Sequence, residues 1–140
     1  MSIEPLLVRH GSEAVNAYNP NWRDAMQYLL ALYVDESGWG KMTPEQQQQG
    51  TASYMAYTEA LKAAGALVNS NRLRPSATAT TLRTTSGKTQ VLDGPFADSK
   101  EQLAGYYLID VSDLDAAMSW AGRCPAAQHG IVEVRAIWAM

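Results

Sequence analysis

The chain contains two histidines, and only His129, in the loop that enters the last apolar stretch, stands where an imidazole could act as acid or base. Asp93 is the carboxylate expected to serve it. A carboxylate hydrogen-bonded to an imidazole fixes its tautomer and raises its basicity enough for proton transfer at neutral pH. The same oxygen can instead close an Asx-turn over Asp93-Gly94-Pro95-Phe96, and His129 beside Gly130 is equally a turn residue. Further on, Glu133 and Arg135 alternate with Val132, Val134 and Ala136, and a period of two places both charges on one face of a strand. There Arg135 would hold a carboxylate or enolate oxygen. The competing role is an ion pair, with Glu133 or with symmetry mates, that fixes a dimer. Tyr33, Trp39, Phe96 and Tyr107, with Glu133, are the candidate pocket lining, although strand aromatics are also ordinary core. Arg72 and Arg74 share a strand face, either as a second anion site or as a solvated edge.

Other chemistries find no residues. Ser86-Gly87-Lys88-Thr89 echoes the end of a phosphate loop, but the first glycine would have to stand at Leu82, and a P-loop opens a helix rather than a hairpin. No two histidines or cysteines have metal-ligand spacing, so no metal and no cofactor are expected. No G-x-S-x-G elbow supports serine hydrolysis. Cys124 reads as a small buried hydrophobe.

The elements that must position these residues follow from periodicity. Gln27 to Val34 is a near-continuous apolar strand, hence central and covered on both faces. Thr43-Pro44-Glu45-Gln46 is a helix start, with Thr43 as cap, Pro44 at the first position and Gln46 reaching back; Gly65 ends that helix. The spacing predicts strands over 67–73, 78–85 and 88–92, the last two joined by a Ser86-Gly87 turn. Asp98 to Leu103 reads as a short helical turn and Tyr106 to Val111 as a strand. A second helix begins at Ser112-Asp113, buries Leu114, Ala117, Met118 and Ala121, and stops at Pro125. Ile131 to Trp138 is the last strand. The order is ferredoxin-like, β-α-β-β-α-β with an extra hairpin strand, in the α+β class. Both helices of such a fold cover one sheet face. The strands are apolar on both sides, so the free face is expected to be buried by a second copy, sheet on sheet, in a homodimer.

The bulk numbers fit this. A chain of 140 residues, 46% hydrophobic and 18% charged, is sized for one globular domain, residues 26–140. Residues 1–25, rich in loop formers, are expected to be an arm that is disordered or docks on a neighbour. A net charge of -3 argues against nonspecific nucleic-acid binding. No apolar run is long enough to cross a membrane, and a lone cysteine suits a reducing compartment, the cytoplasm.

The run Asp93-Gly94-Pro95-Phe96-Ala97-Asp98-Ser99-Lys100-Glu101-Gln102-Leu103-Ala104-Gly105-Tyr106 resembles the signature of the DGPF branch of the YCII-related family, D-G-P-F-A-E-x-K-E-x-L-x-G-Y, with Asp98 in place of Glu. The likeness extends to Met26–Leu30, Tyr54–Leu61, Leu73–Thr81 and Gly130–Arg135. The resemblance implies a dimeric α+β barrel and, in some relatives, a His–Asp pair. That pair is more often described with an earlier histidine, and this sequence has none between Met26 and Gln128. Two functions follow as expectations. One is a cofactor-independent enzyme acting on a small aromatic or enolisable molecule through His129, Asp93 and Arg135. The other is a non-catalytic dimer that binds a metabolite or a protein partner.

Overall fold

A computed structural model describes residues 26–139; the expected arm at 1–25 lies outside them. The chain order is β1 (Gln27–Val34), α1 (Ser37–Gly40), α2 (Pro44–Ala63), β2 (Leu67–Arg72), a 3-10 turn (Ser76–Thr78), β3 (Thr80–Thr85), β4 (Lys88–Asp93), β5 (Gln102–Asp110), α3 (Leu114–Arg123), α4 (Ala126–His129) and β6 (Ile131–Ala136). Four strands form one antiparallel sheet in the order β2-β5-β1-β6. With α2 after β1 and α3 after β5, this is the ferredoxin-like arrangement expected. The hairpin β3–β4 differs from the expectation in one respect: it forms a separate two-stranded sheet rather than adding a strand to the first.

The helix starts are local chemistry. Thr43 accepts from the amide of Gln46 while the Gln46 side chain accepts from the Thr43 amide, and Pro44 takes the first helical position. Asp113 caps α3 by accepting from the Ala116 amide. Gly65, at φ 71, supplies the left-handed residue that stops α2.

The core lies between the helices and one sheet face. Tyr28, Leu30 and Leu32 of β1 and Tyr107 and Ile109 of β5 pack against Tyr57 and Leu61 of α2 and Ala117 and Ala121 of α3. On β6 the valines and Ala136 face this core, so Glu133 and Arg135 project from the helix-free side. Pairing puts Leu29 and Ala31 opposite Arg135 and Glu133 on that side, and opposite Leu108 and Tyr106 of β5. Gly105 is required where β2 crosses β5, because a Cβ there would stand 2.7 Å from the Asn71 carbonyl oxygen.

Three local expectations are corrected. Residues 98–101 are irregular, not helical, and β5 already begins at Gln102, whose partner is Val34. Backbone pairing to the central strand outweighs a short charged helical tendency. Met118 points outward, 41% exposed, since the small side chains Ala117 and Ala121 let α3 sit flat on the sheet. Pro125 caps a further helical turn, α4, rather than only stopping α3.

Candidate functional site

A groove of about 620 Å³ lies between α2 and the α3–α4 corner. Its α2 wall is made by small residues, Gly50, Ser53, Ala56 and Ala60, with Tyr54 and Tyr57 beside them. These recur at helical spacing, so one stripe of the helix is low and leaves room above it. The facing wall holds Arg123, Pro125, Gln128 and His129.

Each wall is held in place by named contacts. Arg123 ends α3, where a cation complements the helix dipole, and its guanidinium lies 4.2 Å over the Trp120 ring. Tyr57 donates to the Trp120 carbonyl at 2.7 Å, tying α2 to α3. Its ring meets Tyr107 edge to face, with centroids 5.1 Å apart, and the Tyr107 hydroxyl bonds the Thr58 hydroxyl at 2.9 Å. Pro125 opens the single turn of α4, and the Gly130 amide closes it on the Ala126 carbonyl. His129 therefore sits on a turn with fixed ends, at the groove's rim and exposed to solvent.

The floor disfavours ionised groups. Burial pushes Tyr54 up to about 12, with Cys124, then Tyr107, adding to the rise and Arg72 opposing it. Burial, then Cys124, also raises Tyr57, and burial raises Tyr107 and the Cys124 thiol. These phenols stay neutral at physiological pH, which leaves Arg123 as the fixed charge lining the groove. Arg123 and His129 can offer donors to an anion while Tyr54 and Tyr57 offer apolar ring area.

The residues singled out in the sequence fall in separate places. His129 lines this groove. Asp93 ends β4 opposite Thr80, exposed, and no hydrogen bond joins it to His129 among the described residues. Arg135 and Glu133 form an ion pair of 2.9 Å on the helix-free sheet face. Four residues of strand, about 13 Å, separate Arg135 from Ile131, itself two residues beyond His129. Tyr33 is on β1 and its neighbours put it on the helix-free side opposite Ile131. Tyr107 is buried beneath Tyr57. Phe96 is 75% exposed beside Arg83 of the hairpin, 5.7 Å from its ring centroid. Trp39 lines a second groove, of about 500 Å³, on the far side of α2, with the Arg72 guanidinium 5.1 Å from its ring centroid. Arg74 lies past the end of β2, which stops at Arg72. No cluster of metal-ligating side chains occurs among the described residues.

Arg123, Tyr54, Ser53 and Gln128 were missed by the sequence reading. Gly50 inside a helix was the available signal. A helix-interior glycine costs roughly 1 kcal/mol against alanine and needs a spatial reason. Here it lines the groove, and an added Cβ would stand at ordinary contact distance, 3.5 Å, from the Trp39 ring.

Comparison with known proteins adds the relationship. The YCII-related domain family matches residues 26–140. The chain belongs to that family. An uncharacterised protein of Rhizobium meliloti (strain 1021) is 41% identical over 96 residues, covering 69% of this chain and 77% of that protein. The YCII-related match begins where β1 begins and takes in both the groove and the hairpin. Among the described residues no helix is long and apolar enough to cross a membrane.

Proposed function

We propose that this YCII-related protein is a homodimer that binds a small organic anion, aromatic or enolisable, in the groove between α2 and the α3–α4 corner. One observation carries the ligand half: Arg123 and His129 line one wall of a groove whose other wall is Tyr54, Tyr57 and small side chains. About 620 Å³ lies within the usual range for small-molecule sites, and a few polar groups on an apolar lining are their usual composition. Arg123, held flat by Trp120, would take the carboxylate.

The dimer half rests on the sheet. Leu29, Ala31, Tyr33, Leu108 and Ile131 share the helix-free face with the Glu133–Arg135 pair. Ile131 is 51% exposed and Leu29, Tyr33 and Leu108 are partly exposed there, while Ala31 is buried among its neighbours. Two copies facing through a two-fold axis would bury both faces and bring the two ion pairs together. A fully buried Cys124 as the one cysteine agrees with a cytoplasmic protein.

The acid–base enzyme is the second reading, favoured by the place of the His129 imidazole in the groove. It requires a carboxylate to reach His129 on dimerisation, and Asp93 is the one the turn presents; Arg135 would then act between the sheets. Titration of the protein with benzoate and with phenylpyruvate, followed by amide and imidazole NMR signals, tests both readings. Binding predicts shifts at Ser53, Arg123 and His129, and a ten- to hundredfold weaker affinity in Arg123→Ala. No shift at millimolar ligand removes the groove. Consumption of the enolisable ligand that is lost in His129→Asn would select the enzyme.

A further inference from the structure

We infer that the β3–β4 hairpin is a clasp that packs on a second copy of this chain. The inference rests on the dimer proposed above and goes beyond its sheet-to-sheet contact. Every residue of β4 is exposed, and all of β3 except Thr81. Among them stand Leu82, Val91 and Leu92, at 62%, 64% and 60% exposed, with Phe96 at 75% just past the strand end. Leu82 and Val91 are cross-strand partners, so they form one apolar patch on one side; Leu92 lies on the other. A lone two-stranded hairpin is at best marginally stable in water, and four large apolar side chains at its surface make solvent a poor environment for it.

Charge and area both point to a second copy as the occupant. The hairpin carries Arg83 and Lys88 against Asp93 alone, whereas carboxylates outnumber Lys and Arg over the rest of the described residues. The arm therefore complements the body of its own chain, and a copy of that body is an acidic receptor for it. Gripped on both faces, Leu82 and Val91 on one and Leu92 with Phe96 on the other, the arm would bury on the order of 400 Å² of apolar surface. In a two-fold pair each copy gives one arm and receives the other, so each buries about twice that, near the ~800 Å² per partner of a stable interface.

Sedimentation of the full chain and of two variants tests this. Wild type should be a dimer. Leu82→Glu combined with Val91→Glu should weaken dimerisation at least tenfold, and Ile131→Glu, on the sheet face, should weaken it independently. A wild-type monomer overturns the dimer and the clasp together. A dimer broken by Ile131→Glu but indifferent to the hairpin variant overturns the clasp and leaves the dimer standing. Hydrogen exchange of the Lys88–Asp93 amides in the unmodified protein guards against misfolding of the variant. Protection should appear as concentration rises through the dimer dissociation constant. Concentration-independent exchange, or protection that appears only with an added foreign protein, overturns the clasp.

Discussion

Glu36 accepts hydrogen bonds from both the amide, at 2.9 Å, and the hydroxyl of Ser76, 40 positions further along the chain. Its own amide donates to the Gln102 side chain at 3.1 Å. Two residues after β1, Glu36 thus ties down both the segment that leads into the hairpin and the strand that follows it. Hydrogen bonds to a charged acceptor are worth about 1.5–3 kcal/mol each when shielded, and this carboxylate is half-buried. Glu36→Ala is expected to cost about 2 kcal/mol, and Glu36→Gln roughly half as much. The loss should be local. Amide exchange should speed up across β3–β4 and stay slow in β1 and β5, and uniform acceleration would contradict the latch.

Gly130 joins α4 to β6 in too little space for any side chain. A Cβ there would overlap the Tyr33 carbonyl oxygen and crowd the Val34 side chain and the Ala126 carbonyl. Two of those three are backbone atoms, which cannot swing away. Gly130→Ala should therefore destabilise by about 2–3 kcal/mol, as overpacking at a rigid site does. Because the same turn carries His129, the shift should also reach the groove. A urea midpoint unchanged from wild type would show that the turn can yield.

Tyr28 presents the opposite case. Its ring is buried at the centre of the core, but its hydroxyl finds no hydrogen-bond partner among the described residues. Burial, then the charge of Asp113, raises its pKa. A buried unpaired hydroxyl costs about 1–3 kcal/mol, so removing it should help. Tyr28→Phe is expected to raise stability by about 1 kcal/mol, read from urea unfolding at neutral pH. Destabilisation would mean that the hydroxyl is satisfied in solution.

What could be read in the sequence was what is local. The Thr43/Gln46 capping box, the Gly65 stop and the alternation that turns Glu133 and Arg135 away from the helices each need only a few neighbouring residues, and the structure has all of them. α2 buries Tyr57 and Leu61, four residues apart, as a helical period requires. The failures were long-range. Gln102 was assigned to a helix because nothing near it in sequence reveals its pairing with Val34. Arg123 stands at a helix end over the Trp120 ring, and neither residue type reveals the groove opposite. Placing His129 beside Tyr54 required knowing how α2 crosses the α3–α4 corner, and no local pattern encodes that.

Alkaline pH should expose the phenolic floor of the groove. Tyr54 is held up to about 12 by burial, then by Cys124 and Tyr107, and Tyr57 and Tyr107 are raised in the same direction from 10.0. The Cys124 thiol is raised by burial from 9.0. The folded protein holds these protons to higher pH than the unfolded chain does. Below pH 9 both states are protonated and the groups contribute nothing to pH dependence. As pH rises past 9–10 the unfolded chain ionises first, so stability falls until the folded groups ionise in turn. The slope is at most about 1.4 kcal/mol per pH unit for each group, and less for Tyr54, which is partly solvated. Urea midpoints measured from pH 8 to pH 11 should therefore decline steadily above pH 9. Tyr54→Phe should flatten the decline, since it removes one proton from the difference between the states. An equal slope in that variant would mean that Tyr54 titrates alike in both.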